Sequence, residues 1–599
     1  MQKQLPGNGV ISEESLGEQL RDMVGLLRAG RCGSRLLLLI AALVVVIAAT
    51  AWYQILLNAW NKPFYDALTR KDFPGFLLQL KVFAELALVL LALNVGQLWL
   101  DQTLKLNLRR GLFGALLDAW MKPGRADGIA RSGIIGENPD QRLQIDTDTL
   151  ADLTGALGIG LFQSTLLLLS FIGVLWGQSG TVTIPFAGRE HEIPGFMVWC
   201  ALLYAATASW LSWRVGRKLV EMNAERSARE ASFRFELVRV NEARDAIALQ
   251  HGEAAEASRI EGTFASVVDI IRAAIRATVG LTWVTAGYGW FALVAPILAA
   301  SPFYFTGRMT IGELMLIVGA FNQVQSSLRW YVNNFPAIAS WRATLYRVTS
   351  FHRALAALES MRVSDAPHIE RREQGTGIEI SGLRVMTPYL CVRLDPEPVV
   401  AGSGERVLLH GLSGSGKTML FRALAGLWGV GEGHITMPEQ GRALYMPTEA
   451  YVPPGPLAQS VCYPHRPEDY PPGAIATALE AVGLGHLAED LAEVQRWDQQ
   501  LTASERQCIA FARALLQKPD WLVMDDTLAQ IDPEAQARII VLLNSSLAHV
   551  GLLGIGNGAG TEPSRLYRRS VTIVSEPGVP VLQASGRDAS AREAQPAQA

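Results

Sequence analysis

Charge is scarce in this chain. Lys, Arg, Asp and Glu make up 18% of its 599 residues, against about 25% in an ordinary soluble domain. Hydrophobic residues reach 49%. The shortfall lies in the first 350 or so residues, which points to a membrane-embedded half. A basic surplus is missing as well: the net charge is −3, which argues against a nucleic-acid partner. Paired cysteines are missing. Cys32, Cys200, Cys391, Cys462 and Cys508 stand far apart with no CxxC among them, so neither a disulfide framework nor a zinc site is indicated. No cleavable leader is expected: about 35 polar and mixed residues precede the first long apolar run, and no small-residue cleavage site follows it.

Long apolar runs are what the first half has instead. A helix needs about 20 apolar residues to cross a bilayer. Runs at 36–57, 83–100, 155–176 and 196–213 qualify, and weaker ones lie at 279–299 and 311–335. The expectation is six spans. Basic residues concentrate before the first span, between the second and third, after the fourth and after the sixth. By the positive-inside rule both termini and the two long loops are cytoplasmic. Lys62, Arg70 and Lys71 in the first outer loop are a mild exception.

Three features of this half invite function. Leu16, Leu20, Val24 and Leu27 recur at helical spacing, predicting an amphipathic helix that lies on the membrane or packs on the protein itself. Residues 217–270 are charged yet helically patterned, as expected of helices projecting toward a soluble domain. Asn94, Gln97 and Asp101 share a face of span two, and Asn322, Ser326, Arg329 and Asn333 share one of span six. Polar groups at that depth face a bundle interior or a wet cavity. Each face reads either as a substrate pathway or as interhelical hydrogen bonding.

After residue 350 the pattern becomes α/β. Arg371-Arg372-Glu373-Gln374-Gly375 reads as a linker. The short buried strand 407–410 runs into Gly411-Leu412-Ser413-Gly414-Ser415-Gly416-Lys417-Thr418, and a helix follows. This strand–loop–helix context is that of a phosphate-binding loop. Its glycines let backbone N–H groups converge on phosphates, the helix N-terminus adds its dipole, Lys417 brings a cation and Thr418 a hydroxyl for Mg²⁺. A second strand, Trp521-Leu522-Val523-Met524, ends in Asp525-Asp526. A carboxylate at the C-terminal end of a buried parallel strand lies at the ligand edge of the sheet, which places Asp525 on the metal.

Leu501-Thr502-Ala503-Ser504-Glu505-Arg506-Gln507, followed by Ala510-Phe511-Ala512-Arg513-Ala514-Leu515, resembles the signature region of ATP-binding cassette proteins. Asp532 falls at the family's dimer-contact aspartate. Asn61-Lys62-Pro63-Phe64-Tyr65-Asp66-Ala67-Leu68, Asn138-Pro139-Asp140-Gln141-Arg142 and Gln325-Ser326-Ser327-Leu328 are similar to the YddA-type bacterial half-transporters, a group related to the SbmA/BacA peptide transporters and to the peroxisomal subfamily D. The resemblance implies an exporter-type six-span helical domain followed by an α/β nucleotide-binding domain. It implies a homodimer or heterodimer in the cytoplasmic (inner) membrane, with ATP and Mg²⁺ sandwiched between one chain's phosphate loop and the other's signature residues Thr502, Ser504 and Glu505. The transported substrate is unassigned. The expected organisation is a cytoplasmic segment 1–35, a transmembrane domain 36–350, a linker 351–376, a cassette 377–584 and a disordered tail 585–599.

Four positions depart from the family pattern, and all bear on hydrolysis. Asp526 stands where the family has glutamate. One methylene fewer withdraws the carboxylate by roughly 1–1.5 Å from an attacking water. Asn557 replaces the switch histidine and cannot carry its charge. Thr448 replaces the Q-loop glutamine, with Glu449 beside it as a substitute. Ser504 replaces the signature glycine, adding bulk and a hydroxyl where glycine permits close approach. Each change slows hydrolysis by roughly 10²–10³-fold or is tolerated by a slow but sufficient ATPase. The competing reading is an ATP-binding, catalytically impaired subunit or regulatory membrane protein paired with an intact chain.

Overall fold

The structure is a computed structural model. It describes residues 15–29, 33–132, 139–178, 182–186, 189–307, 309–361, 368–387, 389–439, 441–557 and 566–577. Asn138, Arg308, residues 1–14 and the tail 585–599 lie outside those residues. The chain forms two compact units, one holding residues up to Lys122 with Ile129–Ala357, the other Pro123–Gly128 with the residues from Leu358 onward.

The first unit is built on long helices. Gly33–Thr69 has 37 residues, Phe73–Trp120 has 48, Phe196–Glu242 has 47 and Glu253–Phe305 has 53. At 1.5 Å per residue such helices far exceed a hydrocarbon core of about 30 Å. The patterned stretch 217–270 accordingly continues two of the spans as helix. A short helix, Arg244–Leu249, separates the two, which pair with each other. Arg229 donates to the Ser266 carbonyl at 2.7 Å, and Thr263 donates to Glu236 at 2.8 Å.

Five helices among the described residues are long and apolar enough to cross a membrane: Gly33–Thr69, Phe73–Trp120, Pro139–Gln178, Phe196–Leu219 and Glu253–Phe305. Ile311–Asn333, the sixth expected span, falls outside that set. It is the helix that needs lipid-facing side chains least. It packs against Gly33–Thr69, Thr147–Gln178, Phe196–Glu242 and Glu253–Phe305, and Leu314, Ile317, Ala320, Phe321 and Val324 are buried. Its approach to the first span is close. A Cβ on Gly312 would meet the Lys62 carbonyl oxygen at 2.3 Å, and one on Gly319 would meet Asn58 at 2.1 Å. Around these glycines Asp66 accepts the Gly312 N–H at 3.1 Å, Asn58 donates to the Leu316 carbonyl at 3.2 Å and Lys62 pairs with Glu313 at 3.0 Å. The Lys62 charge, an anomaly for an outer loop, is thus partnered.

The N-terminal helix Leu16–Ala29 packs against Phe73–Trp120, burying Gln19, Met23 and Leu26, and Asp22 pairs with Arg353. Leu16 and Val24 of the expected apolar face stay exposed. On span two, Gln97 donates to Gln163 at 3.0 Å. Asp101 and Asp152 flank the Lys105 ammonium at 3.2 and 2.9 Å. Of that face, Gln97 bonds across to a neighbouring helix, Asp101 bonds within its own helix to Lys105, and Asn94 is exposed. A hairpin of Val182–Phe186 with Arg189–Ile193 follows the third span.

The second unit is a mixed sheet. Its parallel side runs Ala443–Met446, Trp521–Asp525, Gly551–Gly556, Arg406–His410, Arg569–Pro577. Its antiparallel side adds Leu390–Asp395, Ile378–Met386 and Gly431–Met437. One core lies between the sheet and the Lys417–Leu424 helix, around Leu409, Leu420, Phe421 and Trp521. The other packs Ala503–Gln517 through Trp497, Phe511 and Leu457. Part of the expected linker 351–376 forms regular secondary structure. Helix Phe335–Met361 runs into it, and Glu370–Glu373 is a strand paired parallel to Gly431–Met437. The Trp521 indole also donates to the Thr376 carbonyl at 2.8 Å. A strand bonded on one side at a sheet's edge can be charged on both faces, so Glu370-Arg371-Arg372-Glu373 carries no apolar alternation to reveal it.

Candidate functional site

Parallel register gathers the site. Asp525 lies opposite Ile555, Gly556 opposite His410, and Met446 opposite Met524. The chain therefore leaves three neighbouring strands at one edge, giving Gly411 onward, Asp526 onward and Asn557, with Pro447 and Thr448 from the fourth. Ligands gather at this carboxyl edge of parallel strands.

The loop 411–416 turns tightly because two glycines take left-handed backbone, Gly414 at φ 84° and Gly416 at φ 86°. A Cβ on Gly416 would also strike Val392 at 2.4 Å. Helix Lys417–Leu424 begins directly behind, so its free N–H groups point at the loop. The Lys417 ammonium donates to the Gly411 carbonyl at 3.2 Å and to the Asn557 side-chain oxygen. Lys417 thus folds back across the loop's mouth. The Ser415 hydroxyl is buried without a partner among the described residues. Ser413 lies in the same turn.

Asp525 is 4% exposed. Burial first, then the neighbouring Asp526 charge, pushes its carboxyl above the ordinary range. Hydrogen bonds from Thr418 and Thr448 and the charge of Lys417 oppose that. Thr448 reaches the Asp525 carbonyl at 3.3 Å and its carboxylate at 3.5 Å. A buried carboxylate held against its preference beside a hydroxyl is a donor set that a small divalent cation relieves. Oxygen ligands suit Mg²⁺, which takes few protein ligands and completes its shell with phosphate and water. The residues fit that ion. Asp526 sits at φ 46°, a region that short Asp side chains enter more readily than most. Its carboxylate lies over Gly556, where a Cβ would meet it at 2.9 Å. Glu449 is exposed and forms no hydrogen bond among the described residues, so of the two it is Thr448 that lies beside Asp525.

The signature residues stand apart from the loop. Thr502 caps helix Ala503–Gln517 in a capping box: Glu505 N–H donates to Thr502 at 3.2 Å, and Thr502 N–H donates to Glu505 at 2.8 Å. Ser504 is buried, and its hydroxyl accepts the Asp532 N–H at 3.1 Å. Among the described residues none of the three bonds to 411–418. Their hydrogen bonds hold a second surface in shape within the same chain.

Two residues escaped the sequence reading. Gln507, 1% exposed, donates to the Pro447 carbonyl at 3.0 Å and to that of Thr448, joining the signature helix to the segment that holds Asp525. Its place inside the signature motif was the available signal. Tyr389 is 88% exposed and immediately precedes Leu390 and Val392, the side chains that abut Gly416. An exposed aromatic beside a phosphate loop has no packing role, and no motif announces it.

Residues 26–305 match the family of ABC transporter transmembrane region 2, and residues 400–529 match the ABC transporter family. The chain is 26% identical over 529 residues to the inner membrane ABC transporter ATP-binding protein YddA of Escherichia coli, covering 87% of this chain and 92% of that one. It is 27% identical over 590 residues to ABC transporter D family member 2, chloroplastic, of Arabidopsis thaliana, covering 86% and 81%. It is 34% identical over 145 residues to the human ATP-binding cassette sub-family D member 3, covering 23% and 22%.

Proposed function

We infer that this chain, a membrane-region and ATP-binding fusion of the ATP-binding cassette half-transporter class, is an ATP-driven transporter that moves a small molecule, peptide or cofactor across the cytoplasmic membrane. Its spans cross several times, and its cassette faces the cytoplasm. The observation that carries this is the convergence at one sheet edge of the 411–418 loop, Asp525 and Asn557, in a chain that also holds, among its described residues, five helices of membrane length.

In this reading the N–H groups of Gly411, Gly414 and Gly416 and the hydroxyls of Ser413 and Ser415 cradle the phosphates. Lys417 exchanges its bonds to Gly411 and Asn557 for phosphate oxygens, and Tyr389 stacks on the base. Thr418 and Asp525 would hold Mg²⁺, which when bound neutralises charge building on the phosphates. Asp526 is the carboxylate aligned toward water, Asn557 offers an amide to the terminal phosphate, and Thr448 keeps Asp525 aimed. The second wall of the nucleotide site comes from Thr502, Ser504 and Glu505 of another half-transporter chain, identical or different.

The test is Lys417→Ala. Fluorescent ATP-analogue binding to the full chain in lipid nanodiscs should weaken at least about tenfold, since an ion pair to phosphate is removed, and ATP-dependent flux in vesicles should vanish. Unchanged affinity would overturn the reading. A second reading, an impaired ATP-binding subunit beside an intact partner, draws on Asp526, Asn557 and Thr448 together. Tight ATP binding without turnover by the purified chain selects it; turnover stimulated by cargo selects the transporter.

A further inference from the structure

The polar residues of Ile311–Asn333 fare differently from Gln97. Ser326 returns to its own backbone, donating to the Gln323 carbonyl at 3.0 Å. Arg329, by contrast, has no carboxylate partner and no hydrogen bond among the described residues. It lines a cavity of about 20 Å³ between Phe196–Glu242, Glu253–Phe305 and Ile311–Asn333, together with Gln325, Ser209, Ser212, Thr285 and Tyr288. That volume admits about one water-sized oxygen, so a larger head group would enter it by one oxygen only. It is a seat for part of a head group, not for a whole cargo.

Most polar groups of the lining, Thr285, Tyr288 and Asn333 among them, both donate and accept, and its one charge is that of Arg329. Arg329 offers N–H donors and a permanent charge and accepts nothing. Gln325 is only 7% exposed, and its side-chain Nε2 is buried with no partner. Ser209 and Ser212 add hydroxyls. No carboxylate lines the cavity. An unpaired cation and an orphaned amide donor at membrane depth are costly, and one kind of occupant relieves both: an oxyanion, whose oxygens accept from guanidinium and amide at once.

We propose that Arg329 and Gln325 form the recognition site for a carboxylate or phosphate group on the transported molecule. This rests on the transporter reading above and names its cargo class.

The test uses the full chain in phosphatidylcholine nanodiscs. Its probes are benzoylglycine, benzoylglycinamide and phenyl phosphate, the first two differing only in carboxylate against carboxamide. Wild type should bind either oxyanion at least tenfold more tightly than the amide. In Arg329→Gln the preference should fall to about one, in Arg329→Lys it should survive in part, and in Gln325→Leu it should drop several-fold. Gln325→Leu also serves if Arg329→Gln fails to fold. Equal binding of acid and amide by wild type, or a preference undiminished in Arg329→Gln, overturns the proposal. So does oxyanion binding that is competed away by phosphatidylglycerol in the disc, which would make the site a lipid head-group site. ATP-analogue affinity is measured on the same samples. Its retention in Arg329→Gln certifies the fold, and its absence from wild type would strike the transporter reading instead.

Discussion

Asp525 shows at residue scale how the site stores a need for its ligand. Its carboxyl is raised by burial and by Asp526, so the folded state holds the charged form at a disadvantage. Linkage gives the sign. The penalty is absent below the ordinary carboxylate pKa, grows as pH rises through the folded value and is complete above it. Asp525→Asn should therefore raise the thermal midpoint of the nucleotide-free protein near pH 7.5, with the gain fading below about pH 4. The same variant should lose the affinity that Mg²⁺ adds to ATP over EDTA. A lower midpoint at pH 7.5 would show that Asp525 is stabilised by its neighbours after all. The cysteines do no comparable work. Burial pushes the Cys462 and Cys508 thiols up to about 11, so both stay protonated and unreactive, in keeping with a sequence that offers no CxxC.

At the scale of elements, helix Ala503–Gln517 carries two tethers. Ser504 holds the segment at Asp532, and Gln507 holds the backbone of Pro447 and Thr448. Thr448 in turn touches Asp525. A movement of this helix is thereby tied to the aim of Asp525, although among the described residues none of its side chains hydrogen-bonds to the 411–418 loop. Gln507→Leu keeps the volume and removes the donor, leaving two carbonyls without it. Steady-state ATPase should fall about tenfold while ATP affinity stays within about twofold, because the loop and Lys417 are untouched. An equal loss in both would reduce Gln507 to general packing. Arg513, in the same helix, is different. It is buried, pushed down to about 10 by that burial, and donates to the Ser460 and Tyr451 carbonyls. It joins helices and plays no part at the phosphate edge.

For the whole molecule, the separation of Thr502, Ser504 and Glu505 from the phosphate loop makes a second chain necessary in the proposed sandwich. In a homodimer every composite site would combine the Asp526 and Asn557 departures with that of Ser504. An intact partner would divide them. Asp526→Glu should raise the ATPase of the purified chain by about 10–100-fold if carboxylate reach limits turnover. The measurement is phosphate release from the reconstituted protein, with Lys417→Ala as the blank. No gain would place the limit elsewhere, at Asn557 or in the membrane unit.

What the sequence determined alone is what local order encodes. Apolar runs of membrane length, the contiguous 411–418 loop and an apolar strand ending in two aspartates each sit within a few turns of chain, so periodicity and spacing reveal them. The tertiary structure decided what depends on partners far along the chain. Gln97 and Arg329 look alike as polar residues in apolar helices. One finds Gln163 across a neighbouring helix, while the other faces a cavity between three. The strand Glu370–Glu373 needed its neighbour at Gly431–Met437 to be a strand at all. Register, not motif, set Thr448 against Asp525 and Asn557 against Lys417, because hydrogen-bonded neighbours in a parallel sheet are joined by long crossovers that no local pattern can count.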